Sequence, residues 1–178
     1  MTTVINFLGG PSCGKSTNAA ELYAIMKHNG YKVELVREVA KEWAWEGRTI
    51  GPFDQMAILG EQIRRESSLY NKVDYVITDS PALLGAFYFD YNHNQYFMND
   101  MIIDYYKYCS KHNVLFKNYL LPRKKKYDTN GRYQSEEDAK KLDKALIAYL
   151  NQYGFSYKQL EASPDFIAKS IFNDIEHK

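Results

Sequence analysis

Long apolar runs are missing: nowhere does the chain hold about eighteen consecutive apolar residues, so no membrane-spanning helix is expected. The amino-terminal MTTVINFLGG lacks a basic segment followed by a longer apolar one, so no export leader is expected and a cytoplasmic location follows. Cysteine is scarce. Cys13 and Cys109 have no metal-ligand spacing and Cys13 lies inside a glycine turn, so both are read as reduced thiols. His28, His93, His112 and His177 are scattered and suggest no zinc site. An excess of one charge is also absent. The formal net charge of +1 argues against an extended footprint on nucleic acid, while a local basic patch stays open. No internal repeat, low-complexity segment or linker divides the chain. Its 178 residues, 45% hydrophobic and 25% charged, suffice for one core of ordinary size, so residues 1–178 are expected to form a single domain. The oligomeric state is not legible at this level.

What is present is an alternation of strand-like and helix-like segments. TVINFL (3–8) reads as a buried strand, and residues 15–29 as a helix with Ala19, Leu22, Tyr23 and Met26 at three- and four-residue steps, ended by Gly30. YKVELV (31–36) is a second strand, followed by a short helix through EVAKEWAWEG that stops at Gly47. Residues 51–70 form a helix with Met56, Leu59 and Ile63 on one face, and VDYVIT (73–78) a third strand. Beyond Pro81 an aromatic segment, AFYFDYNHNQYF (86–97), is a candidate pocket wall. Residues 97–111 make a helix on which Met98, Met101, Ile102 and Tyr105 have core spacing. A fourth strand falls within VLFKNYLL (114–121), and a basic loop covers 122–134. Ser135 and Asp138 make a capping-box start for a helix closed by Gly154, FSYKQLEA suggests a fifth strand, and Pro164 opens a terminal helix. Such alternation implies a mostly parallel sheet with right-handed crossovers and helices on both faces. Ligands gather at the carboxyl ends of its strands.

Between the first strand and first helix, Gly9, Gly14, Lys15 and Ser16 match GxxxxGK[ST]. Glycines let successive N–H groups curl inward, and the helix that follows adds its positive N-terminal end, an arrangement suited to a polyphosphate. Gly9, Gly10, Pro11, Ser12, Cys13, Gly14, Lys15, Ser16 and Thr17 are therefore the candidate cradle of a nucleoside triphosphate. Lys15 would reach the β- and γ-phosphates, and the Ser16 hydroxyl would bind magnesium. NKVD (71–74) looks like a guanine-reading motif but precedes the third strand, on the wrong side of the sheet for a base, and is read as coincidence. No motor apparatus is identifiable in so short a chain, which leaves a small kinase.

Through GGPSCGKST, VREVAKEW, LGEQIRRE and VITDSP, roughly residues 3–85, the chain resembles the P-loop nucleoside and nucleotide kinases. It is most similar to the nicotinamide riboside kinase type of domain, often labelled an AAA-like ATPase. The resemblance implies an α/β P-loop NTPase three-layer sandwich, with a five-stranded, mostly parallel sheet, helices on both faces and a basic lid at about 122–135. It also implies Mg2+-assisted phosphoryl transfer from ATP to a small nucleoside or nucleotide-like acceptor, without fixing which. ATP over GTP rests on the resemblance alone.

Phosphoryl transfer asks for alignment, charge neutralisation and, for a hydroxyl acceptor, a base. Glu38 directly follows the second strand, and in related deoxynucleoside kinases an acidic residue there is the base; the bland alternative is a carboxylate favouring a helix start. Arg37 would hold acceptor or phosphate, or pair with a surface carboxylate. Asp79 ends the third strand, where a carboxylate orients magnesium, unless it only shapes the turn before Ser80 and Pro81. In PRKKKYDTNGRYQS, Arg123 and Arg132 are candidate transition-state cations because a guanidinium grips two phosphate oxygens at once; Lys124, Lys125 and Lys126 read more readily as a solvated loop. Trp43, Trp45, Arg48, Gln62 and Arg65 are candidate acceptor contacts, with Trp43 equally suited to the core.

Two other functions stay open at this stage. One is a virus-type kinase acting on hydroxymethylated pyrimidines within DNA, for which the 16 tyrosines and the basic loop would supply stacking and backbone contacts. The other is a nucleotide-dependent binding module that transfers nothing.

Overall fold

An apolar run stopped by a pair of glycines suits a strand covered on both faces. Thr2–Leu8 forms such a strand, β1, in the middle of the sheet. The computed structural model describes residues 1–51, 53–93, 97–123, 136–161 and 166–176. After β1 come α1 (Lys15–His28), β2 (Val33–Val36), α2 (Val39–Trp45), α3 (Asp54–Ser67) and β3 (Tyr75–Thr78). They are followed by α4 (Ala82–His93), α5 (Phe97–Lys111), β4 (Val114–Leu120), α6 (Glu136–Gln152), β5 (Lys158–Gln159) and α7 (Ile167–Glu176). The five strands lie in the order β2-β3-β1-β4-β5 and every pairing is parallel.

Handedness then decides which helix covers which face. The crossover from β1 to β2 runs toward one edge of the sheet, and the crossovers from β2 to β3, β3 to β4 and β4 to β5 run the other way. Right-handed crossovers in opposite directions put their helices on opposite faces. Accordingly Leu22 and Met26 of α1 pack with Ile171 and Ile175 of α7 against Ile5 and Phe7. Leu59 of α3, Leu83 of α4, Ile102 of α5 and Leu146 of α6 form the core on the other side. The reversal after β1 opens a crevice at the carboxyl ends of β1 and β3, which is where the glycine turn and Asp79 lie.

Three local expectations change. The aromatic segment after Pro81, to which the sequence pattern gives no element, is helical over Ala82–His93. It is rich in Leu, Ala and Phe with a nearly uniform hydrophobic circumference, so the three-residue periodicity that marks an amphipathic helix is missing. The fifth strand shrinks to Lys158–Gln159, because only Tyr119 and Leu120 of β4 offer it pairing. On α3 the buried stripe is Ile58, Leu59, Gln62 and Glu66, whereas Met56 is 55% exposed. The helix is rotated so that two polar side chains face the sheet. Met101 likewise turns outward, while Met98 and Ile102 are buried as their spacing implies. Ser135, Lys124, Lys125, Lys126 and Arg132 lie outside the described residues. Among the described residues, no helix is long and apolar enough to cross a membrane.

Candidate active site

The turn after β1 is shaped by left-handed backbone at Ser12 (φ 64°) and Gly14 (φ 87°). Glycine bears such a conformation at no steric cost, while a serine bears it at roughly 1 kcal/mol. Gly14 is the residue before α1, makes no side-chain cap, and no acidic residue occupies the first turn. The first amides of α1 therefore face the crevice without a built-in anion. Asn18 stabilises the turn from inside the helix, donating from Nδ2 to the Gly14 carbonyl at 2.9 Å. Lys15 folds back over the loop, its Nζ donating to the carbonyls of Gly9 at 2.8 Å and Gly10 at 3.0 Å. Burial alone would lower its pKa, but the neighbouring Cys13, Tyr88, Glu38 and Asp79 outweigh it and hold the ammonium above its ordinary value. A lysine whose neighbours favour its charged form is thus held where a phosphate tail would lie. Cys13 is buried, donates to the Gly10 carbonyl at 2.6 Å, and has its thiol pKa pushed up chiefly by that burial.

Gly10 meets a constraint of another kind. Its N–H donates to Asp143 Oδ1 on α6 at 3.0 Å, and a Cβ placed on it would lie 2.4 Å from that oxygen and 2.9 Å from Arg123 Nη2. Arg123, three residues past β4, grips the same carboxylate through Nε and Nη2. Arg123 is therefore packed against the phosphate loop.

Two carboxylates complete the crevice. Asp79 immediately follows β3, is 4% exposed, and its Oδ1 is a buried oxygen that accepts no hydrogen bond. Burying a carboxylate oxygen without a partner is costly unless a cation answers it. With Ser16 at the start of α1, this donor pair suits Mg2+, which takes one or two protein oxygens and completes its shell with phosphates and water. Among the described residues there is no larger cluster of potential metal ligands. Glu38, the residue before α2, is extended (φ −62°, ψ 121°) and, with Arg37, Lys41, Glu42, Trp45, Glu46 and Asp79, lines an open cavity of about 270 Å³.

These features match a known group of sequences. The sequence profile of the AAA domain family covers residues 4–165. The chain belongs to that family. Among solved structures, this AAA domain resembles deoxyadenosine kinase from M. mycoides with products dCMP and a flexible dCDP bound, at TM-score 0.62 and 18% identity over 98% of this chain and 100% of that one. The same enzyme with bound dATP gives 0.57 and 18% over 97% and 98%. A cysteine-to-alanine mutant of the APS kinase CysC of Mycobacterium tuberculosis gives 0.56 and 11% over 98% and 97%. At such identities the likeness establishes the fold. No curated protein matches the sequence.

Within the AAA domain the candidate residues separate into groups. Lys15, Arg37, Glu38, Asp79 and the loop residues converge on the crevice. Trp45, 80% exposed, stands at the cavity wall; Trp43 is half-buried, outside that lining, with the Arg48 guanidinium 4.9 Å from its ring centre. Arg48 pairs with Glu46 at 2.8 Å. Arg65 touches the cavity only through Glu42, whose two oxygens its Nη1 and Nη2 grip at 2.7 Å each, and that hydrogen bonding lowers the Glu42 pKa. Gln62 is 4% exposed and points into the protein, with its amide engaged by Val39, Glu66 and Thr78. The structure thus gives Gln62 internal partners where the sequence suggested an acceptor contact. Asp143 and Tyr88 were missed. Tyr88, on α4, has its pKa raised first by burial, and Lys15, Glu38, Cys13 and Asp143 all act on its hydroxyl. An aromatic-rich run hinted at Tyr88, whereas no local pattern marks Asp143, which is 133 residues from Gly10.

Proposed function

We propose that the protein is an ATP-dependent phosphotransferase that moves the γ-phosphate to a nucleoside or nucleotide-like acceptor. The observation that carries this reading is Asp79: a buried carboxylate oxygen without a donor, one residue past β3, at the strand edge that also presents the phosphate loop. In this mechanism the loop amides and Lys15 hold the triphosphate, and Ser16 and Asp79 hold Mg2+, which when bound neutralises phosphate charge. Glu38 takes the proton of an acceptor hydroxyl in the cavity. Arg37 and Trp45 orient the acceptor there, and Arg123 faces the transferring group. Arg132 keeps its sequence-based role as a second transition-state cation in this reading, Arg48, Arg65 and Trp43 theirs as acceptor contacts, and the whole chain acts as one kinase domain with its lid at about 122–135. The deoxyadenosine kinase neighbour that binds dATP supports a nucleotide in the loop.

The test supplies labelled ATP and magnesium with nucleosides, nicotinamide riboside, nucleoside monophosphates and hydroxymethylated duplex DNA. Label on a small molecule is the expected result. Label on DNA moves the acceptor class to the polymer, and label only in free phosphate overturns transfer.

A further inference from the structure

The β2–β3 ladder ends at the pair Val36 and Thr78. Glu38 and Asp79 both lie beyond that last rung, so sheet hydrogen bonds do not set their separation. A single buried side chain reaches both segments. Gln62 Oε1 accepts from the Val39 N–H, the residue after Glu38, at 3.3 Å. Gln62 Nε2 donates to Thr78 Oγ1, the residue before Asp79, at 3.3 Å, and Thr78 Oγ1 in turn accepts from the Ser80 N–H at 3.3 Å. The second amide hydrogen goes to Glu66 Oε1 at 3.1 Å, one helical turn along α3. Glu66 is 1% exposed and is held by the Tyr70 hydroxyl and the Ala82 backbone amide. Its acceptor oxygen fixes which way the Gln62 amide faces.

We propose that Gln62 is a positioning residue that sets the spacing of Glu38 and Asp79, with Glu66 locking its orientation. Only an amide of this length accepts from a backbone N–H on one side and donates to two oxygens on the other. Methionine fills the same space but makes neither bridge. Glutamate would set two carboxyl groups together with Glu66 in a buried site. The kinetic consequence rests on the phosphotransferase reading, and the structural one on the hydrogen bonds alone.

The test compares wild type, Gln62→Met, Glu66→Gln and Thr78→Val in three measurements: steady-state kinetics, magnesium dependence of transfer, and amide hydrogen exchange. Gln62→Met is expected to lower kcat about 100-fold through misplacement of the reacting groups, with KM for ATP and acceptor nearly unchanged. It should also speed exchange at the Val39 amide. Glu66→Gln keeps an acceptor for Gln62 and should retain most of kcat. Thr78→Val cuts only the Asp79 arm. It should raise half-saturating magnesium about fivefold to tenfold, since the hydrogen bonds from Gln62 and from the Ser80 N–H are both lost, while Val39 stays protected, and it serves if Gln62→Met does not fold. A raised acceptor KM with kcat intact would make Gln62 an acceptor contact and overturn the proposal. So would a lowered melting temperature with kcat and magnesium dependence unchanged. If wild type transfers phosphate to nothing, the phosphotransferase reading fails by itself, and unchanged Val39 exchange in Gln62→Met would sink the bridge separately.

Discussion

The polar cluster around Gly10 and the one around Gln62 flank the same crevice but are made of different material. At Gly10 the partners are ionic and partly wet: the Arg123 side chain is 11% exposed and that of Asp143 is 25% exposed. At Gln62 the partners are an amide, a hydroxyl, backbone N–H groups and one carboxyl, and Gln62, Glu66 and Thr78 are at most 4% exposed. An ion pair beside water has competitors, because a phosphate offers Arg123 the same fork geometry that Asp143 does. The buried amide has none, since every partner it makes is internal and losing one leaves an unsatisfied group. The Arg123–Asp143 pair therefore has a competitor in any phosphate that reaches it, and the Gln62 amide has none among its partners.

Asp79 lies beside the Gln62 cluster and gives the largest expected effect. Asp79→Asn should cut turnover by about 100-fold to 1,000-fold and raise the magnesium requirement. Without magnesium the stability of the same variant should change by no more than about 1 kcal/mol, because the removal of a buried charge is offset by the attraction that the Lys15 ammonium loses. Chemical denaturation with and without the ion measures that change directly.

At Gly10, Asp143→Ala removes the acceptor of the Gly10 N–H and the carboxylate partner of Arg123, whose contact with the Ala139 carbonyl remains. Turnover should fall about tenfold to 100-fold, with a smaller change in ATP affinity. A double mutant with Arg123→Ala should be no worse than the more severe single one, as for two members of one unit. Additive losses would separate Arg123 from Asp143.

Glu66 tests the Gln62 cluster through pH. Burial raises its pKa from the ordinary 4.5 to about 7, against the lowering effect of its hydrogen bonds from Gln62, Tyr70 and the Ala82 amide. The folded protein then binds more protons than the unfolded chain between those values. Stability should decline as pH rises from about 4.5 through about 7, by an amount on the order of 3 kcal/mol, and level off above. Glu66→Gln should flatten that slope in denaturation curves measured from pH 5 to 8. An unchanged slope would assign the effect elsewhere.

The smallest effect belongs to Trp45 at the cavity wall. Trp45→Ala should raise acceptor KM about threefold to tenfold, the worth of one aromatic contact, and leave the melting temperature alone. An unchanged acceptor KM would remove Trp45 from the acceptor contacts.

Much of this was readable from local pattern. Gly9, Gly14, Lys15 and Ser16 sit at fixed offsets, so the phosphate loop is a property of one continuous stretch. The positions of Asp79 and Glu38 just past β3 and β2 are legible because a strand end announces itself by the residues just before it. The burial of Gln62 is not legible for a reason that is also local: Met56, Leu59 and Ile63 mark a stripe, and nothing in the helix itself says that the stripe turns to bury Gln62 and Glu66. The helix Ala82–His93 was hidden because apolar residues surround it and leave no period to read.

The order of residues along the chain determined a parallel α/β sheet, the glycine-rich loop between β1 and α1, and the carboxylates at the strand ends. Those features depend on φ preferences, glycine placement and short-range alternation, all encoded within a few neighbours. Only the tertiary structure decided that Asp143 meets Gly10 and that Gln62 joins the segments after β2 and β3. Each of those contacts depends on how a helix is rotated against the sheet, and that rotation minimises the energy of the whole core, not of the segment that carries the residue.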